Sequence, residues 1–330
     1  MRKECYKATN LLISIPAELT YQLMTTFKFP AKVLYQSPSG LFLENIAVRP
    51  SSGLLLTSIF SPTLHTLDPA AENATLDEVY TFPNVNGLTG IAEYQPDVYA
   101  VVASQLNPAA GTAEPGSTAI WTVDLTSAVV APQIVARIPQ SKLINGISIV
   151  PGAPDLVLGA DSHLGAAYEI NMRTGAVRVL IQDAALAPGP DAPWPGLGIN
   201  GLRARDGALY YTNSALGTFG RIPLGGGAVE VLGDLTSFGV TGGPGYDDFV
   251  FDGEGRAWVT LHPGALQLFS PREDGTWVQE TAVGVPAGSD ILKGPTAAAF
   301  GRDGAGNATK TLYVITTAGQ IVIVDTNVKP

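Results

Sequence analysis

Cysteine is nearly absent from this chain. Its 330 residues hold one, Cys5, so no internal disulfide can form, and the residue lies outside the repeats described below, a poor place for a nucleophile. Histidine is scarce too, with His65, His163 and His262 alone, which argues against a zinc cage of His and Cys ligands. Charged side chains make up 15% of the residues, and the acidic ones outnumber the basic to give a formal net charge of −10. An acidic surface repels phosphate backbones and anionic lipid, so neither nucleic acid nor a membrane is expected as a partner. No run approaches the ~20 apolar residues of a membrane span. The apolar stretch Leu11–Ile15 stops at Pro16 and is too short for a secretory signal, so a cytoplasmic location is expected. There is no Walker loop, no dinucleotide fingerprint in a strand–turn–helix context and no Gly-x-Ser-x-Gly elbow, so no nucleotide, flavin or haem is expected.

What is plentiful is apolar residues, at 45%, together with 37 glycines and 25 prolines. That combination predicts many short strands joined by tight turns rather than helical packing. One unit recurs six times, with openings at Glu44, Gly90, Asn145, Asn200, Asp247 and Pro295. Each opening begins a short apolar strand. A second strand follows and ends in polar residues, as in Leu54-Leu-Leu-Thr-Ser58, Leu156-Val-Leu-Gly-Ala-Asp161 and Leu209-Tyr-Tyr-Thr-Asn213. A third strand comes next. The spacing of roughly 50 residues is that of a four-stranded propeller blade. The predicted fold is therefore all-β, a six-bladed β-propeller. The last unit lacks a fourth strand, and the run Phe27–Tyr35 supplies it, closing the ring. Residues 1–26 form an N-terminal extension and residues 27–330 the propeller, expected as a monomer or weak dimer.

In such a ring the innermost strands all begin at one mouth of the central channel. Their openings then gather Glu44, Asn145, Asn200 and Asp247, two carboxylates and two carboxamides. This oxygen set suits Ca²⁺ or another divalent cation. The ends of the second strands add an outer ring of Ser58, Ser104, Asp161, Asn213, His262 and Thr316, with Thr317 beside it. Polar residues at a closing mouth also serve as a solvated rim. Asp247 and His262 belong to one unit and can pair as acid and base, with Asn200 and Asn213 as hydrogen-bonding partners for reacting oxygens. Phe60, Ser104, Asp161, His163, Trp194, Leu197, Phe238 and Tyr246 are the candidate substrate contacts, several of them on the long segments 105–117, 183–198 and 236–246 that emerge at the same mouth. Apolar walls around a few convergent polar groups describe a pocket for small-molecule substrates.

Asn200-Gly-Leu with Leu209-Tyr-Tyr-Thr-Asn, and Tyr246-Asp-Asp-Phe-Val-Phe-Asp-Gly-Glu-Gly-Arg-Ala-Trp-Val, make the chain resemble the senescence-marker-protein/gluconolactonase-like propellers, relatives of strictosidine synthase. The resemblance runs from about Phe27 to Asp325. It implies Glu44, Asn145, Asn200 and Asp247 as metal ligands, with Asp247 doubling as the general base of a lactonase. Asn45 and Asp248 depart from the pattern, standing where that family carries glycine. Leu43-Glu-Asn-Ile-Ala-Val-Arg and Leu158-Gly-Ala-Asp-Ser are similar in style to fungal propellers of secondary metabolism, which include hetero-Diels-Alderases of meroterpenoid pathways. That likeness implies cycloaddition between a quinone-methide-like diene and a terpene alkene. A metal-dependent lactone or ester hydrolase and a non-catalytic binding propeller are the alternatives.

Overall fold

The computed structural model describes residues 28–192, 196–236 and 245–327. They form strands, turns and loops. No helix among them is long and apolar enough to cross a membrane, and none of them is α-helical.

Six antiparallel four-stranded sheets follow one another along the chain, with a separate two-stranded hairpin inside the second. The inner strands are Leu43–Val48, Gly87–Gln95, Ile144–Val150, Ile199–Arg205, Tyr246–Phe251 and Pro295–Arg302. Each touches the inner strands of both neighbours, and the last touches the first, so the ring is closed. The sixth blade takes its outer strand from the N-terminal side. Ala31–Gln36 pairs antiparallel with Gln320–Asp325, so both ends of the chain share a blade and Gln320–Asp325 is covered on its outer side. The blades bury their aliphatic and aromatic faces against one another in successive clusters, one of which brings Phe29 and Trp258 together between the sixth blade and the fifth.

A β-bulge sits at the start of every inner strand. In the first blade Leu43 pairs with Ser58 and Ile46 with Leu56, so Glu44 and Asn45 lie opposite a single residue. The same irregularity falls at Thr89–Gly90, Asn145–Gly146, Asn200–Gly201, Asp247–Asp248 and Thr296. A bulge re-aims side chains out of the ladder, which is how one position of each blade comes to face the mouth. The register corrects two openings expected from sequence. Thr89, not Gly90, is the counterpart of Glu44, and Thr296, not Pro295, fills the sixth place.

The glycines after Asn145 and Asn200 have a packing reason. A Cβ at Gly146 would lie 2.7 Å from the Asn200 carbonyl oxygen, and one at Gly201 2.4 Å from Asp248 Oδ1. Only glycine lets neighbouring inner strands approach this closely.

Hydroxyl groups stitch the six blade junctions. Thr57 Oγ1 donates to the Thr89 carbonyl at 2.6 Å, Thr89 Oγ1 to Ile144 at 2.6 Å, and Ser162 Oγ to Ile199 at 2.7 Å. Thr212 Oγ1 donates to the Asp247 carbonyl, Thr260 Oγ1 to Thr296 at 2.8 Å, and Thr296 Oγ1 to Leu43 at 2.8 Å. All of these hydroxyls are buried. Adjacent blades share no ladder at their inner edges, so each stitch satisfies a carbonyl that would otherwise be buried without a partner there.

Candidate functional site

A cavity of about 710 Å³ opens at the mouth where the inner strands begin. Its floor carries Glu44, Asn145, Asn200, Asp247 and His262, joined by Ser214 and Thr317. The walls are Phe42, Ile59, Phe60, Leu106, Pro108, Leu143, Leu197 and Ala215. The six-fold arrangement thus brings Glu44, Asn145, Asn200 and Asp247 together from four blades, though they are spread over some 200 positions of sequence.

These floor residues are almost fully buried, with exposures of 5% for Glu44, 3% for Asn145, 3% for Asn200 and 9% for Asp247. Burial pushes the Glu44 carboxyl well above its ordinary range, and the negative charges of Asp247 and Asp248 push it further. Asp247 is raised as well, chiefly by burial, while His262 and Asn200 pull against that rise. His262 Nε2 and Asp247 Oδ2 lie in hydrogen-bond contact at 2.9 Å, so the two residues expected to pair from sequence do meet. The hydroxyls of Thr89 and Thr296 are committed to blade stitches, which leaves the other four ring positions as the candidates for chemistry.

The chemistry of these four suits a hard cation. Among the described residues, Asn200 Oδ1 is a buried acceptor without a partner. Unpaired buried oxygens are what a divalent cation satisfies. The set is mixed carboxylate and carboxamide: no group of three or more His, Cys, Asp or Glu side chains placed to hold a metal occurs among the described residues.

Of the expected substrate contacts, Phe60 and Leu197 line the cavity. Phe60 is 58% exposed and meets Phe42 edge-on at the rim. Four others do not line it. Ser104 is buried, with its hydroxyl on Thr118. The Asp161 carboxylate is fully buried and accepts the backbone N–H groups of Lys142, His163 and Leu164, a turn-holding role. Asn213, expected beside Asn200 in the chemistry, instead donates to the carbonyls of Ala185 and Ala187 and accepts from Leu216 N, fixing the loop above it. Tyr246 is fully buried with its hydroxyl on Gln279, and burial raises that phenol. Asp161 and Asn213 share one reason. Where the second strands turn at the mouth, backbone groups lose their ladder partners, and short polar side chains are spent satisfying them. His163 is also off the cavity. Its Nε2 sits 2.8 Å from the Gly111 carbonyl, tying down a hairpin of Leu106–Asn107 and Thr112–Ala113 that does reach the cavity. Trp194 and Phe238 lie outside the described residues.

Thr317, expected from sequence beside Thr316 in the outer ring, reaches the floor, whereas Ser214 on the floor and Phe42, Ile59, Leu106 and Leu143 on the walls were not singled out. Each stands one or two residues from a position that was singled out, and bulge and turn geometry decide which of two neighbours faces inward.

No family model matches the chain. A protein of Phoma sp named "Putative hetero-Diels-Alderase" is 28% identical over 300 residues, covering 84% of this chain and 84% of its own length. "Putative hetero-Diels-Alderase asR5" of Sarocladium schorii is 27% identical over 305 residues, covering 83% and 75%. Among solved structures, regucalcin of Agrobacterium tumefaciens, described as a calcium-binding protein, superposes with a TM-score of 0.58 at 18% identity, covering 92% of this chain and 97% of that one. A structure described as a "putative gluconolactonase" superposes with a TM-score of 0.58 at 14% identity, over 91% and 93%. The chain thus resembles hetero-Diels-Alderases in sequence and gluconolactonase-like six-bladed propellers in fold.

Proposed function

We propose that this protein is a cyclase that joins an oxygen-bearing diene to an alkene by hetero-Diels–Alder addition inside the propeller mouth. The observation that carries this reading is the division of the cavity, with apolar walls over a buried polar floor, in a chain whose sequence relatives bear that name. The cavity's volume is in the range of pockets that enclose a whole organic molecule.

In this reaction one C–C and one C–O bond form together and no atom leaves, so neither a nucleophile nor a leaving-group acid is required. The protein's work is to hold two partners in the attack geometry and to stabilise charge that builds on the heteroatom. Phe42, Phe60, Leu143 and Leu197 hold the hydrocarbon alkene. Asn145 Nδ2 and, in its protonated form, the Glu44 carboxyl donate hydrogen bonds to the diene carbonyl, lowering the energy of its accepting orbital. The apolar rim keeps water from adding to the diene. Glu44, Asn145, Asn200 and Asp247 are the residues that would hold a divalent cation. Such a cation, when bound, supplies a Lewis acid to a substrate oxygen.

The Asp247–His262 pair at 2.9 Å favours a second reading, a metal-dependent lactone or ester hydrolase in which this pair takes a proton from water. Incubation with a quinone-methide-type diene generated in solution and a terpene alkene separates the two. The cyclase reading expects faster product formation and one dominant stereoisomer relative to the protein-free mixture. A racemic product at the background rate, alongside turnover of lactones that chelation abolishes, would overturn it in favour of the hydrolase.

A further inference from the structure

One residue past the last paired position of the second strand, the fourth and fifth blades do the same thing. In the fifth, His262 follows Leu261 and bonds the Asp247 side chain. In the fourth, Ser214 follows Asn213 and bonds the Asn200 side chain. His262 was expected at the site. Ser214 was not, and it settles a question that Asn200 leaves open, namely which end of its carboxamide points which way.

A serine hydroxyl has one proton to give. The Ser214 proton goes to the Tyr246 carbonyl at 2.6 Å. Towards Asn200, Ser214 Oγ can therefore only accept, and it does so from Asn200 Nδ2 at 3.0 Å. The serine holds the NH₂ group, and the oxygen end is left over. Among the described residues, Asn200 Oδ1 is buried and has no partner, so it is an acceptor that a bound group at the ring would satisfy.

We propose that Ser214 is a positioning residue that fixes the Asn200 carboxamide with its oxygen as a ring acceptor and its nitrogen turned away, so that the floor presents oxygens from Glu44, Asn200 and Asp247 to a divalent cation. This rests on the cation-holding assignment above. The backbone carbonyl of Tyr246 is the origin of the order: it takes the serine proton, the serine takes the amide proton, and the amide oxygen is delivered to the ring. Ligands set by an outer partner of this kind lose about 10–100-fold in metal affinity when that partner is removed.

Two measurements on the full chain test it. In the first, the protein is labelled with ¹⁵N-asparagine, and the Asn200 side-chain amide signal is assigned by its loss in Asn200→Ala. The wild type is expected to show slow exchange of that NH₂ with water, Ser214→Ala fast exchange, and Ser214→Thr, which keeps the hydroxyl, the wild-type behaviour. In the second, Ca²⁺ alone is titrated calorimetrically into the metal-free protein. Ser214→Ala is expected to bind about 10–100-fold more weakly than wild type, with Ser214→Thr close to wild type. Unchanged amide exchange in Ser214→Ala would overturn the proposal. So would wild-type Ca²⁺ affinity in that variant. An amide signature that moves as expected in a wild type that takes up no Ca²⁺ supports the positioning role and removes the cation from the proposed function instead.

Discussion

Asn45 Nδ2 donates to Asp248 Oδ2 at 3.2 Å across the central channel, from the first blade to the fifth. Both residues stand where the gluconolactonase-like pattern has glycine, and the fold makes them partners. The Arg203 guanidinium joins them from the fourth blade, contacting both carboxylate oxygens at 3.0 Å while lying over the Phe249 ring. The cluster stands one layer below the floor of the cavity. Asp248 takes the space that Gly201 leaves open, where a Cβ would lie 2.4 Å from its Oδ1.

This cluster should behave as one unit. Asn45→Gly and Asp248→Gly are each expected to destabilise the protein, and the double variant by less than their sum, with a coupling of about 0.5–3 kcal/mol. Arg203→Met leaves the Asp248 carboxylate buried without its cation. Because the arginine is itself about a quarter exposed, the loss is expected at the low end for a broken buried pair, about 3 kcal/mol. Guanidinium denaturation of the four variants checks this. Strict additivity would mean the contact contributes nothing.

Ring closure should be sensitive to a single hydroxyl. Thr296→Val keeps the shape of the side chain and removes the donor to the Leu43 carbonyl, the stitch joining the last blade to the first. A loss of about 1–3 kcal/mol is expected, as for a buried acceptor left unpaired, with Thr296→Ser falling between. A Thr296→Val protein as stable as wild type would show that the carbonyl finds water instead.

The buried carboxyl of Glu44 gives a pH signature. Its folded-state pKa is raised, so the native state binds the proton more tightly than the unfolded chain does. Its contribution to stability is full below about pH 4.5, the ordinary value of the group, and is lost as pH rises through the raised value. Glu44→Gln mimics the protonated form at every pH. In chelator, the variant is therefore expected to melt above wild type at pH 8, with the gap closing as pH falls towards 4. A gap that widens on acidification would reverse the sign and refute the assignment.

Asp247→Asn distinguishes the two reactions. Hydrolysis that uses the carboxylate and His262 to move a proton is expected to fall about 10²–10⁴-fold, the usual worth of a general base. Cycloaddition, which moves no proton through Asp247, is expected to stay within about tenfold. Turnover of lactone and of the diene–alkene pair by the same preparation is the measurement.

Some of the molecule is legible without coordinates. Six apolar units of about 50 residues, with turn formers between them, leave few ways to bury every face, and the ring is the one found. That Phe27–Tyr35 would complete the last blade follows from the missing fourth strand after Asp325, although the strand that forms runs from Ala31 to Gln36. The convergence of Glu44, Asn145, Asn200, Asp247 and His262 follows from the same symmetry.

The mouth is where the reading from sequence failed. Polar residues there look alike as candidates, whether they meet the cavity or the backbone. Asp161 and Asn213 became loop anchors, Ser104 a packing hydroxyl, and Ser214, unremarked in the sequence, a member of the floor. The sequence alone determined the blade count, the closure of the ring and the four positions that meet at its axis, because hydrophobic periodicity and repeat length are local properties that sum along the chain. Only the tertiary structure decided which side chains face substrate, which end of Asn200 is free and that Asn45 answers Asp248. A single-residue bulge turns a side chain from one face to the other, and hydrogen bonds across blades depend on atoms brought together from distant parts of the chain.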